Sequence, residues 1–137
     1  MPPMITDPAG LPVSGTIHES LGIRTLEATP ERAVVEMEVG PRVHQPFGIM
    51  HGGVSAVLAE SAASIGAYAS LEPGNHALGI ELNVSHLKAV GSGVLRATAR
   101  PVRKGRTLQV WTIDVTEAGG EAVAVARCTL AIKEARS

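Results

Sequence analysis

Two short features carry most of the chemistry in this chain. One is the tripeptide "HGG" (His51, Gly52, Gly53); the other is Glu60, the lone carboxylate in "GVSAVLAESAASIGAY". Glu60 and Ser64 are four residues apart and share one helix face. Ala56, Ala63 and Ala67 flank them with small side chains, which leaves room for a ligand. The bland alternative is that Glu60 points to solvent along a narrow polar stripe with Ser61 and Ser64, because Glu is seldom buried.

The glycines of "HGG" leave the backbone amides at the start of the helix unobstructed. A helix N-terminus offers free N–H donors at the positive end of the dipole. Such donors polarise a carbonyl whose oxygen gains negative charge in a transition state. Gln45, upstream, adds a side-chain amide donor. An ordinary loop-to-helix turn uses the same glycines, so the tripeptide alone is a weak signal. Distance adds a constraint. Gly52 and Glu60 are eight residues apart, or about 12 Å along one helix. Groups acting on one carbonyl must each lie within roughly 3 Å of it. If both act on the same carbonyl, they come from different subunits, with two helices side by side in a dimer.

The elements that must position these residues follow from periodicity. Residues 1–14 hold Pro2, Pro3, Pro8, Pro12 and Gly10, and read as a loose arm before a single domain over 15–137. Residues 16–24 form a short helical turn ending near Gly22. Residues 32–40 alternate as a half-buried strand, and 41–53 form a long loop rich in Pro and Gly. The helix spans 53–70 and is stopped by Pro73 and Gly74. Four strands follow at 77–89, 93–103, 106–117 and 121–133, with Leu78, Ile80, Leu82 and Val84 of the first facing inward. Hairpin turns join the last three strands. The expected fold is α+β, with one antiparallel sheet wrapped around one long central helix. A helix apolar nearly all round needs cover on most faces. The sheet supplies part of that cover, and a second subunit supplies the rest.

Bulk composition narrows the function classes. The 137 residues suit one domain, and a net charge of −1 gives no pull toward nucleic acid or a membrane surface. The aromatics are Phe47, Tyr68 and Trp111, too few for base-stacking platforms. Cys128 stands alone in an apolar alternating run and reads as a buried structural thiol in a reducing, cytoplasmic setting. No stretch is apolar for long enough to span a bilayer. His18, His44 and His76 lack metal-ligand spacing, so no metal and no cofactor are expected.

Beyond these readings the chain resembles the hotdog-fold acyl-CoA thioesterases of the phenylacetic-acid-degradation and Arthrobacter-type 4-hydroxybenzoyl-CoA branch. Within that branch it looks closest to the 1,4-dihydroxy-2-naphthoyl-CoA thioesterases. "QPFGIMHGGVSAVLAES" carries the resemblance, with support from "GIELNVSHLKA" and "LQVWTIDV". The resemblance covers about residues 20–133. It implies a thioesterase that hydrolyses an acyl-CoA, the acyl group being aromatic or aryl, to free acid and CoA. Glu60 would be the catalytic carboxylate, acting as nucleophile or as general base on water. The Gly52 amide would polarise the carbonyl, helped by Gln45 and His51, and Ser64 would position the attacking water. His86 and Lys88 fall in the family's "HxR" segment, which contacts the CoA arm; Lys in place of Arg keeps the charge and loses the bidentate geometry. Gly79 and Ala89, at the ends of "GIELNVSHLKA", count among the expected substrate-binding positions. So do Arg103, Lys104, Gly105 and Arg106 in the next CoA-contacting turn. The resemblance also implies sheets paired across a homodimer, and a homotetramer built as a dimer of dimers.

Each of these residues has a plainer reading. His51 suits orienting the loop as well as it suits catalysis. His86 reads as a satisfied strand-end histidine, and "RKGR" as a solvated hairpin turn. Glu81 and Asn83 face solvent or a subunit interface. Two rival functions stand beside the thioesterase. An enoyl-CoA hydratase of the same fold pairs an Asp with a His in one motif, and this chain has no such pair. A non-catalytic acyl-CoA binding protein would hold the ester without releasing thiol.

Overall fold

The computed structural model describes residues 10–135. Most of the expected arm, residues 1–9, lies outside the described residues. The chain runs α1 (Ile17–Leu21), β1 (Arg24–Thr29), β2 (Arg32–Val39), α2 (Gly52–Ala69), β3 (His76–His86), β4 (Gly93–Lys104), β5 (Leu108–Glu117) and β6 (Ala122–Lys133). The strands form one antiparallel sheet in the order β1-β2-β4-β5-β6-β3. Helix α2 lies against every strand of that sheet.

The core forms where period-two and period-3.6 apolar stripes meet. Val35, Met37, Leu95, Ala97, Ile113, Val115, Cys128 and Leu130 turn toward the helix and are buried. The helix answers with Leu58, Ala59, Ala62 and Ala63, which have no exposed surface. Small residues let the backbones approach closely, most of all at Gly66. A Cβ there would lie 2.5 Å from the Trp111 ring, so the ring packs directly on the helix backbone. The Trp111 indole N–H donates to Gln109 Oε1 (2.8 Å), and Gln109 Nε2 donates to Ser70 Oγ (3.0 Å). Ser70 Oγ in turn donates to the Ala67 carbonyl (2.7 Å). This chain satisfies a buried amide and closes the C-terminal end of α2.

The expected helix and four later strands are present to within a few residues. The turn expected around 16–24 is α1, ended by Gly22 at φ +71°. Three features differ. Strand β1 was not expected: its only buried residue is Thr25, and a bulge between Thr25 and Glu27 breaks the alternation. The inward parity expected for Leu78 and Ile80 is also corrected, since they are 53% and 60% exposed. A bulge between Gly79 and Glu81 shifts the register, so Ala77 faces the core before it, while Leu82 and Val84 face the core after it, as expected. Finally, β3 ends at His86 rather than at residue 89, because the Leu87 and Lys88 amides both donate to the Val123 carbonyl. Strand β3 forms one edge of the sheet.

Candidate active site

The face of α2 turned away from the sheet floors a groove of about 570 Å³. Glu60, Ser61 and Ser64 line it, with Tyr68 near the far end of the helix. Helix α1 contributes Ile17 and His18, and β3 contributes His76, Leu78 and Leu82. Glu60 is half-buried and makes no hydrogen bond or ion pair among the described residues. Its carboxylate lies against Gly79, where a Cβ would fall 2.7 Å from Oε2. Only glycine at that position leaves the carboxylate its present place. Behind it, Cys128 is wholly buried, and burial followed by the Glu60 and Glu81 charges pushes its thiol up to about 12. The thiol is a packing group, as its place in the alternating run indicated.

The start of α2 opens on a second cavity of about 360 Å³, lined by Gln45, Gly52, Ser55, His86, Lys88 and Ala89. The Gly52 N–H has no acceptor among the described residues. His51 Nδ1 accepts from the Gly53 N–H (2.8 Å), so His51 caps the helix and its neutral ring carries the proton on Nε2. Gln45 Oε1 accepts from the Phe47 N–H, which leaves the amide NH2 as its donor end. The His86 ring lies against Gly52, 3.0 Å from where a Cβ would stand. The loop itself is pinned. The Met50 N–H donates to the Val90 carbonyl (2.7 Å), and His44 Nε2 meets the Gly91 carbonyl (2.8 Å).

The basic residues lie elsewhere or are engaged. Lys88 Nζ is held by Glu117 and Glu121, each at 2.7 Å. Those two hydrogen bonds, Glu117 first, raise the Lys88 ammonium above its usual value and lower Glu121 in return. Its charge is thus already matched within the chain. Lys104, Gly105 and Arg106 line a third cavity at the other end of α2, beside Ser70 and Leu71. Lys104 reaches Glu31 at 3.4 Å and Arg106 reaches Glu134 at 3.8 Å, both at the surface. Arg103, on the same hairpin, has no ion pair among the described residues.

Within one chain, then, the anticipated residues fall into three places: Glu60 and Ser64 in the groove, with Gly79 against the Glu60 carboxylate; Gln45, Gly52, His86, Lys88 and Ala89 at the helix start; and the hairpin turn beyond the helix end. Glu60 and the Gly52 N–H open into different cavities, as their separation along one helix requires. Sequence reasoning missed His18, whose Nε2 lies 3.2 Å from Ser61 Oγ across 43 residues of chain. Nothing local in "TIHESLG" marks it. Among the described residues no cluster of His, Cys, Asp and Glu could hold a metal, and no helix is long and apolar enough to cross a membrane.

Residues 47–124 match the family model described as the thioesterase superfamily. A 1,4-dihydroxy-2-naphthoyl-CoA hydrolase of Listeria monocytogenes is 44% identical over 88% of this chain and 98% of its own length. A proofreading thioesterase of Cronobacter turicensis is 36% identical, with 86% of each chain covered. The crystal structure of a thioesterase from Haemophilus influenzae superposes with a TM-score of 0.87 at 35% identity, over 91% of this chain and 87% of that one.

Proposed function

The chain belongs to the thioesterase superfamily and is a thioester hydrolase of hotdog fold; from that premise we propose that it hydrolyses aryl-CoA esters at a site shared by two subunits. The observation that carries the proposal is the division of the site along α2. A half-buried carboxylate with no partner among the described residues stands in one groove, and an N–H with none among them opens on another. Each is half of an acyl-transfer centre. Two antiparallel helices at a dimer interface would bring the Glu60 of one subunit beside the Gly52 amide of its partner. The edge strand β3, with Leu78 and Ile80 outward, gives such an interface a strand to pair and apolar surface to bury. A dimer of dimers, as in the resembling family, would build on it.

In this reading the thioester carbonyl oxygen sits under the Gly52 N–H, with the Gln45 NH2 as second donor. Glu60 takes a proton from water as the water oxygen attacks the carbonyl carbon, or attacks that carbon itself. Negative charge builds on the carbonyl oxygen and is met by the helix N-terminus. The tetrahedral centre collapses, the C–S bond breaks, and the CoA sulfur leaves and is protonated. Where Glu60 attacks directly, water then hydrolyses the acyl-enzyme anhydride. Ser64, one turn from Glu60, orients the water. His51 supports the donor site by capping the helix. His86 packs on Gly52 at the mouth through which the CoA arm would enter. Arg103, Lys104 and Arg106 would meet the CoA phosphates from their own end of the helix, where the partner's active centre lies in an antiparallel dimer. The apolar groove and the named activity of the Listeria relative both favour an aromatic acyl group.

Subunit mixing tests the proposal. Glu60→Gln and Gly52→Val chains should each lose turnover by about 10²–10⁴-fold while remaining folded. Refolded together in equal amounts, half the dimers are mixed and each mixed dimer has one intact site. Thiol release should return to about a quarter of the wild-type rate. Mixed dimers as inactive as the two parents would rule out a shared site, and near-normal turnover by Glu60→Gln alone would remove Glu60 from the chemistry.

A further inference from the structure

The groove beside Glu60 contains a polar pair that the hydrolysis does not use. His18, on α1, places Nε2 3.2 Å from Ser61 Oγ on α2. Both residues are half-buried and both line the groove. Ser61 follows Glu60 directly and is turned about 100° from it around the helix, so the pair borders the carboxylate without sharing its position. The remaining walls are largely apolar, with Leu11, Ile17, Val57, Ile65 and Leu82 among them, and none of the described residues that line the groove is Lys or Arg. A phosphate-bearing arm has no cationic partner among these residues. The acyl portion of the ester does, and it would enter with its reacting carbon toward Glu60.

We propose that His18 and Ser61 form a specificity element that selects acyl groups carrying a hydroxyl. The inference rests on the thioester-hydrolase reading of this groove and adds to it which acyl groups the groove prefers. The chemistry of the pair is suited to a hydroxyl in either arrangement of its proton. When Ser61 donates to His18 Nε2, the serine oxygen remains an acceptor for the substrate O–H. When His18 Nε2–H donates to the serine, the serine O–H remains a donor to the substrate oxygen. An unsubstituted ring displaces water from the pair and returns no hydrogen bond, which disfavours it. Helix α1 is held where this requires. The Ile23 N–H donates to the His18 carbonyl (2.8 Å), the Gly22 cap ends the helix, and Arg42 Nη1 donates to the Ser20 carbonyl (3.3 Å).

The test compares hydroxybenzoyl-CoA with benzoyl-CoA by thiol release. The wild-type enzyme should favour the hydroxylated ester by about tenfold in kcat/KM, the effect of about one net hydrogen bond. His18→Leu and Ser61→Ala should each bring the ratio toward one by lowering kcat/KM for the hydroxylated ester alone. The double variant should add little, because the two residues act as one unit. His18→Gln, whose amide can reach the Nε2 position, should keep most of the preference. If His18→Leu disturbs α1, Ser61→Ala and His18→Gln still give the reading. An unchanged ratio in these variants, or an equal fall for both esters, would overturn the proposal and leave the pair a structural tie. Release of thiol from neither ester by the wild-type protein would instead sink the aryl-CoA reading, and this inference with it.

Discussion

On the side of α2 that meets the sheet, Leu58, Ala59, Ala62 and Ala63 have no exposed surface and Gly66 receives the Trp111 ring. On the opposite side, Val57, Glu60, Ser61 and Ser64 stand along an open groove. The two faces use nearly the same small residues for different ends. Where Ala and Gly meet a large side chain they bring backbones together and stabilise. Where they meet nothing in the chain they leave a space, and the few polar groups in that space become chemically available. The contrast divides the helix into a face that should govern stability and a face that should govern turnover.

Two glycines break or sharpen that division most directly. Gly79→Ala would set a methyl 2.7 Å from Glu60 Oε2 and displace the carboxylate. It should lower kcat/KM by about a hundredfold, the scale of a 1 Å misplacement, and leave the denaturant midpoint close to wild type. A large loss of stability with normal turnover per folded molecule would put Gly79 on the wrong side of the comparison. Gly66→Ala is the mirror case. Its methyl would lie 2.5 Å from the Trp111 ring, and overpacking should cost about 1–3 kcal/mol in urea unfolding with turnover per folded molecule unchanged.

The smallest effect belongs on neither face. Glu36, on the outer surface of the sheet, is bridged by Arg96 (2.9 Å) and Arg24. The Arg96 hydrogen bond, opposed by desolvation and assisted by Arg24, holds its carboxyl below 4.5. A lowered folded-state pKa contributes stability that is present above the unfolded value and lost as pH falls through the folded one. Glu36→Gln should therefore cost at most about 1 kcal/mol at neutral pH. The gap between the two proteins should close below about pH 4.5, as the unfolded and then the folded carboxylate of the wild type protonates. A gap that persists at low pH would mean the side chain acts through packing instead of charge.

The helix, four of the strands and the separation of Glu60 from Gly52 were legible in the sequence because each is a matter of local period or local count. Strand β1 was not, because its inward residue is Thr25 and a bulge interrupts it. The parity of Leu78 and Ile80 was misread for the same kind of reason: one extra residue at Gly79/Glu81 reverses which side chains face in. Glu60, Gly52 and Gln45 were singled out as candidates from residue type and spacing alone. The engagement of Lys88 was not, because its two counter-charges come from Glu117 and Glu121, 29 and 33 residues further along. His18 meets Ser61 across 43 residues, a contact made by the docking of α1 on α2 and by nothing in either segment alone.

Trp111 is the single tryptophan of the chain, wholly buried and stacked on the helix backbone at Gly66. It is therefore a built-in fluorophore for one face of α2. Its emission should be blue-shifted in the native protein and move red as the sheet parts from the helix. It should stay constant while acyl esters enter and leave the groove on the far side. Folding and binding can then be followed separately in one cuvette, without adding a label.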